Sequence, residues 1–227
     1  PQHTKLVRPE SKGGYGLDSL WNDDFHHSAM VALTGRAEAY YTDYRGAAQE
    51  FVSCAKYGYL FQGQRYKWQK KRRGTPALDL EPWRFVNFIQ NHDQVANSGH
   101  GRRAHQLSSP GLFKAMSALT ILSPGIPMLF QGQEFATSKP FHYFADHHPE
   151  LAEMVREGRL KFFEQFRSLA LPEVQASIPV PSDTETFERC RLDFAERETN
   201  APIYRMYRDL IRLRKEEPVF SNQRRHG

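Results

Sequence analysis

The sequence predicts an α/β fold built on parallel strands, and three observations carry that expectation. Residues 85–89 are an apolar run of strand length, aromatic and β-branched in character, which is the pattern of a strand buried on both faces. Residues 112–122 read as an apolar helix stopped by Ser123, Pro124 and Gly125, and residues 126–130 read as a second buried strand; strand, helix and strand in that order make a βαβ unit. Each strand then breaks into polar residues: Gln90, Asn91, His92, Asp93 and Gln94 after the first, Gln131, Gln133 and Glu134 after the second. Parallel α/β sheets bind ligands at the carboxyl ends of their strands, so these exits are where chemistry is expected. The competing reading of Asn91, His92 and Asp93 is a turn that caps the next helix.

The remaining elements follow from local signals. Residues 1–16, punctuated by Pro and Gly, predict an irregular loop, and residues 17–21 a strand that again runs into polar positions, Asn22, Asp23 and Asp24. Asn22 or Asp23 can cap a helix whose buried side is Phe25, Ala29, Ala32 and Leu33 and whose stop is Gly35. A second helix is expected over 44–57, with Tyr44, Ala48, Phe51, Val52 and Ala55 at helical spacing and Gly58 at its end. Residues 96–110 are too polar for a core and predict a loop. Residues 135–200 read as an insertion, with an aromatic loop at 140–148 and an amphipathic helix at 149–170. In that helix Pro149 suits the first turn, while Leu151, Met154, Val155, Phe162, Phe163, Phe166 and Leu169 supply the apolar side. A Pro-rich loop at 171–182 precedes a last helix opened by Pro202, with Ile203, Met206, Tyr207, Leu210 and Ile211 in phase and an end before Pro218.

Composition bounds the function. With 227 residues, 39% hydrophobic and including 16 Phe, the chain can build a core. No run approaches the roughly 18 apolar residues of a membrane span, and the first residues lack the apolar stretch of a signal peptide, so a soluble, cytoplasmic protein is expected. Cys54 and Cys190 lack C-x-x-C spacing and predict free thiols. The net charge of +5 is concentrated in residues 65–73, where Tyr66 and Trp68 interrupt the basic run. Such a run could grip a phosphate backbone and stack bases. One short stretch without a nucleic-acid-binding fold favours a solvated loop, and nucleic acid is not an expected partner. Residues 23–27 and 146–148 hold adjacent acids and histidines, but neither has the i, i+4 His pair of a zinc helix. No metal and no cofactor are expected.

Five stretches carry a family resemblance: GGYGLDSLWNDDFHH (13–27), NFIQNHDQ (87–94), PMLFQGQEF (127–135), FHYFADHHPELA (141–152) and VREG (155–158). Together they resemble the trehalohydrolase branch of the α-amylase family of glycoside hydrolases. The NHD motif by itself points only to the α-amylase family, whereas WNDDFHH and ADHH point to the branch. The resemblance implies that the three strands are roughly the sixth, seventh and eighth of a (β/α)8 TIM barrel, and that residues 1–227 are the C-terminal portion of its catalytic domain. It implies hydrolysis of the α-1,4-glucosidic bond next to the terminal trehalose of maltooligosyl trehalose, releasing trehalose in its biosynthesis. The implied partners are this α-glucan oligosaccharide and the remainder of the domain upstream of residue 1. There the family's nucleophilic Asp and proton-donating Glu would lie, about 5–5.5 Å apart for a retaining mechanism, so the chain alone is expected to be inactive.

By the same resemblance the third acidic residue of the family falls on Asp93, which stabilises the transition state and binds hydroxyls of the sugar being cleaved, with His92 beside it. Glycosidic cleavage passes through an oxocarbenium-like state, so a fixed carboxylate that bonds ring hydroxyls helps more as positive charge develops. Asp23, Asp24, Phe25, His26, His27, Gln90, Asn91, His92 and Gln94 are the further candidates for sugar contact at the strand exits. Phe141, Tyr143 and Phe144 are either insertion core or a platform for a sugar ring. The sequence departs from the family at Ala96, Asn97 and Ser98, where Gly and then Asn-Arg are usual, and at Gln131 to Glu134, where Met-Gly-Glu-Glu is usual. The alternatives are another α-glucan enzyme, a branching enzyme or amylase, or a non-catalytic module binding glucan or nucleic acid.

Overall fold

The computed structural model of the chain describes residues 3–224; Pro1, Gln2 and residues 225–227 lie outside the described residues. In chain order the elements are β1 (Leu20–Trp21), α1 (Asp23–Thr34), α2 (Ala48–Tyr57), β2 (Arg65–Tyr66), β3 (Lys71–Arg72), β4 (Phe85–Asn87), α3 (His92–Ala96) and α4 (Pro110–Leu122). They continue with β5 (Ile126–Pro127), α5 (Pro149–Phe163), α6 (Pro172–Gln175), α7 (Thr184–Glu188), α8 (Glu196–Thr199), α9 (Ala201–Glu216) and α10 (Pro218–Ser221). The chain divides into two units. One holds the described residues up to Ile89, Ser108–Leu129 and the described residues from Arg205 onwards; the other holds Gln90–Leu107 and Phe130–Tyr204.

The first unit is α/β, and its sheet is parallel in the order β1, β4, β5. Leu20 pairs with Phe85, and Val86 with Ile126. The strands are shorter than the apolar runs that predicted them. Ahead of β1, Tyr15 and Leu17 donate their N–H groups to Lys5 and Leu6, and Arg84 takes the carbonyls of Leu17 and Asp18. The expected strand over 17–21 is thereby reduced to its last two residues. In β5, Pro127 brings no N–H to the ladder, and Met128 makes the next bond, to the Asn87 carbonyl at 2.9 Å.

Helix α1 is capped as expected: the Asn22 side chain accepts from Phe25 N, and Gly35 ends the helix in the left-handed region at φ 68°. The helix expected over 44–57 starts only at Ala48. Before it, the Glu50 carboxylate accepts from Arg45 N and Gly46 N, and Gly46 has φ 64°, so the chain turns there instead of winding. Gly58 then closes α2 at φ 80°, where a Cβ would stand 2.2 Å from the Phe85 ring. No side chain fits at that crossing.

The basic run is a correction. Residues 65–73 contain an antiparallel hairpin, β2 with β3, where a loop was expected, although most of the stretch is solvated as expected. Alternation along β2 leaves Arg65 exposed and buries Tyr66 completely, where it joins a cluster with Val31 and Tyr44. A second cluster, Val7, Leu20, Tyr59, Ala77 and Phe85, packs with Leu6 and Leu80. The C-terminal helix α9 adds Tyr207, buried and hydrogen-bonded to Ser117 at 2.7 Å. Arg214 of α9 donates to the carbonyls of Ile121, Ser123 and Gly125 at 2.5–2.7 Å, satisfying acceptors at and beyond the end of α4.

The stretch 96–110 is a loop except at its ends and a 3-10 turn at Ala104–Gln106, but, against expectation, it is not excluded from the interior. Its first residue ends α3, and it carries Arg103 and Ala104 into the interior with at most 1% exposure. Arg103 donates to the carbonyls of Lys139 and Gln131, each at 2.7 Å, and lies 5.0 Å above the Phe130 ring. Burial lowers its pKa to about 10. Helix α5 ends at Phe163, short of the expected residue 170, because the backbone tightens into i, i+3 bonds such as Phe166 N to Phe163 O. Its apolar stripe is buried only at the C-terminal end: Phe163, Phe166 and Leu169 are inside, whereas Leu151 and Met154 face solvent. The Pro-rich stretch after it holds the short helix α6.

Candidate active site

The strand exits of the first unit are filled by side chains that bond to protein. Asn22 donates to the Gly58 carbonyl at 2.8 Å and to Asn87 Oδ1 at 3.0 Å, so one amide caps α1 and ties its start to the end of β4. Asp24 is fully buried. Its carboxylate accepts from the Tyr44 hydroxyl at 2.5 Å, Phe61 N at 2.8 Å and Arg73 Nε at 3.4 Å. Asp23 lies 4.0 Å from Arg73 Nη2 and is partly exposed. Phe25 is fully buried and packs edge-on against Phe51.

His26 shows 1% exposure and its ring has a fixed tautomer. Nδ1 stands 2.6 Å from the Ile89 carbonyl, which can only accept, so Nδ1 carries the proton and Nε2 accepts from the Tyr41 hydroxyl at 3.1 Å. Burial drives its pKa down to about 4. His27 sits among Tyr40, Tyr41 and Tyr44, with its pKa held well below the ordinary value by burial, then by His26 and Arg73. Both imidazoles are neutral at pH 7.

In the second unit the polar stretch after β4 sorts itself by exposure. Gln90 is buried, and its Oε1 accepts from Ala104 N at 2.8 Å. Asn91 is the N-cap of α3, accepting from Asp93 N at 2.9 Å and Gln94 N at 3.2 Å. Gln90 Nε2 and Asn91 Nδ2 are buried donors without a protein partner among the described residues. Gln94 is partly buried. His92 and Asp93, in the first turn of α3, are exposed. The capping reading holds for Asn91, and the imidazole and carboxylate that follow it face solvent. Tyr143 lies under the Arg159 guanidinium at 4.1 Å, and Phe144 packs edge-on with Phe141 and Phe187.

The structure adds a contact that motif reading does not supply. Asn97 Nδ2 donates to Asp93 Oδ1 at 2.7 Å. The i, i+4 spacing of an Asp and an Asn is the sequence signal for it, once residues 92–96 are known to be helical. Among the described residues no three His, Cys, Asp or Glu side chains gather as metal ligands do, and no helix is long and apolar enough to cross a membrane.

No family model matches the chain. It is 43% identical over 93% of its length to the malto-oligosyltrehalose trehalohydrolase of Deinococcus radiodurans, and 36% identical over 97% to that of Saccharolobus solfataricus. It spans about a third of the length of these curated relatives, 35% and 36%. A crystal structure of a Salmonella typhimurium protein, provisionally described as an alpha amylase, is similar at a TM-score of 0.84 and 34% identity, over 96% of this chain and 37% of that one.

Proposed function

We propose that this chain, homologous along nearly all of its own length to the malto-oligosyltrehalose trehalohydrolases, is the C-terminal portion of the catalytic domain of such a glycoside hydrolase. Strands β1, β4 and β5 are read as the last three of a (β/α)8 barrel, with residues 135–200 inserted after the last. What supports this is the parallel sheet order and the TM-score of 0.84 with the Salmonella protein. The reaction is retaining hydrolysis of the α-1,4 bond next to the terminal trehalose of maltooligosyl trehalose, within trehalose biosynthesis in the cytoplasm. Two free, buried cysteines, Cys54 and Cys190, fit a reducing compartment.

The observation that carries the reading is the exposed Asp93 carboxylate, held in the first turn of a capped helix directly after a buried parallel strand. A carboxylate fixed there stabilises an oxocarbenium-like transition state by charge and by bonds to sugar hydroxyls, with His92 as a second donor. Gln90, Asn91, Gln94, Tyr143 and Phe144 belong to the same proposal as sugar contacts, the first two through their unpartnered amide donors. For Asp24, Phe25, His26 and His27, burial against protein partners favours a role in holding the strand exits. Asp23, half-buried beside Arg73, stays a candidate for sugar contact. The nucleophile and the proton donor are assigned to the rest of the relatives' length.

The test is product analysis with the full-length protein that carries this chain, incubated with maltooligosyl trehalose. Trehalose release by that protein, and none by the chain alone, is expected. The likeness to the Salmonella protein keeps an amylase as the second reading; hydrolysis of internal bonds of starch without trehalose release would establish it and overturn the first.

A further inference from the structure

We propose that Asn97 and Arg159 are positioning residues for Asp93: the Arg159 guanidinium fixes the Asn97 amide, and the amide aims the Asp93 carboxylate. The inference rests on the reading of Asp93 given above. Arg159, on α5, donates from Nη1 to Asn97 Oδ1 at 2.9 Å and from Nη2 to the Ala96 carbonyl at 3.0 Å. Asn97 in turn donates from Nδ2 to Asp93 Oδ1 at 2.7 Å. The direction of this chain of bonds is set by chemistry. A guanidinium can only donate, so the amide oxygen must face Arg159, and an ionised carboxylate can only accept, so the amide nitrogen must face Asp93.

The guanidinium is itself held. It lies over the Tyr143 ring at 4.1 Å and near Phe163 at 5.4 Å, and the fork to Ala96 O and Asn97 closes the C-terminal end of α3. Helix α3 is only one turn and a half long and Asp93 is exposed, so the bond from Asn97 is what restrains the rotation of the carboxylate. The inserted segment thus holds α3 through the Arg159 side chain. Burial lowers the pKa of Arg159, opposed by its neighbours Tyr143 and then Asp93.

The discriminating substitution is Asn97→Asp in the full-length protein. It keeps the shape and the acceptor toward Arg159, where it makes an ion pair, but replaces the donor facing Asp93 with a second carboxylate. A purely structural Asn97 would therefore tolerate the change or gain stability from it. A positioning role requires kcat for trehalose release to fall about tenfold or more, with KM moving less than about threefold and Tm not lowered, because a misaimed group costs most in the transition state. Arg159→Met, which keeps an apolar stem on Tyr143, should lower kcat similarly. In an Asp93→Asn background Asn97→Asp should cost little further, since the group being aimed is already gone. An active parent whose Asn97→Asp variant keeps kcat within about twofold overturns this inference alone; a parent that releases no trehalose overturns the function reading and this inference with it.

Discussion

The Arg73 guanidinium stands 3.4 Å from the buried Asp24 carboxylate, joining the end of the basic hairpin to the first turn of α1. Asp24 also holds the Tyr44 hydroxyl and the Phe61 amide, so one carboxylate organises three chain segments. Asp24→Ala leaves the largely buried Arg73 with the more distant carboxylate of Asp23, 4.0 Å away, and leaves two donors unpaired. It should destabilise the protein by about 3–5 kcal/mol, the usual consequence of breaking a buried pair from one side. Urea unfolding of the variant checks this, and a loss below about 1 kcal/mol would show that Asp24 does not hold the region together.

This pair also marks the limit of what was legible in the sequence. Helix caps depend on neighbours three or four residues away, so Asn22, Gly35 and the Pro149 helix start were readable, as was the βαβ order behind the parallel sheet. The hairpin was not. Two-residue strands carry almost no periodic signal, and what turns Tyr66 inward is a cluster with Val31 and Tyr44, far off in the chain. Asp24 and His26 looked like sugar contacts because polar residues at a strand exit usually meet ligand, but their partners here, Arg73 and Ile89, are 49 and 63 residues away. Asp93 and His92 could be singled out because the motif is local. The contact of Arg159 with Asn97, at a separation of 62 residues, could not.

Stability should fall as the medium becomes acidic. His26 has an ordinary pKa of 6.5 when unfolded and about 4 when folded, so between those values the unfolded chain binds more protons and stability rises with pH. This contribution is present above pH 6.5, is lost as the pH falls toward 4, and amounts to on the order of 3 kcal/mol. His27, shifted in the same direction, adds to the slope. Urea midpoints measured between pH 7 and pH 4.5 for the protein and for His26→Asn should show a shallower pH dependence in the variant, whatever its stability at pH 7. Equal slopes would rule His26 out as a source of the acid sensitivity.

Arg214 closes the carbonyls at and beyond the C-terminal end of α4 from the neighbouring helix, and Arg214→Met would take this donor from Ile121 and Ser123 and leave Gly125 only the longer bond from Gln223, while keeping most of the stem. A loss of about 1–3 kcal/mol is expected. Thermal unfolding reads it directly, and hydrogen exchange should quicken at residues 121–125 first. An unchanged melting temperature would mean that solvent replaces the guanidinium without cost.

Asp93→Asn in the full-length protein separates charge from shape at the proposed transition-state contact. The cap of α3 belongs to Asn91, not to Asp93, and an amide oxygen at position 93 can still accept from Asn97, so the local fold should hold. The exposed carboxylate contributes at most a few tenths to about 1 kcal/mol through the helix dipole, and the melting temperature should move by a few degrees at most. Chemistry should respond very differently. If the carboxylate stabilises positive charge that develops on the sugar, its loss falls mainly on kcat, by about 10² or more, with KM changed far less. A variant with near-normal kcat would remove Asp93 from the reaction, and one with a collapsed melting temperature would reassign it to the scaffold.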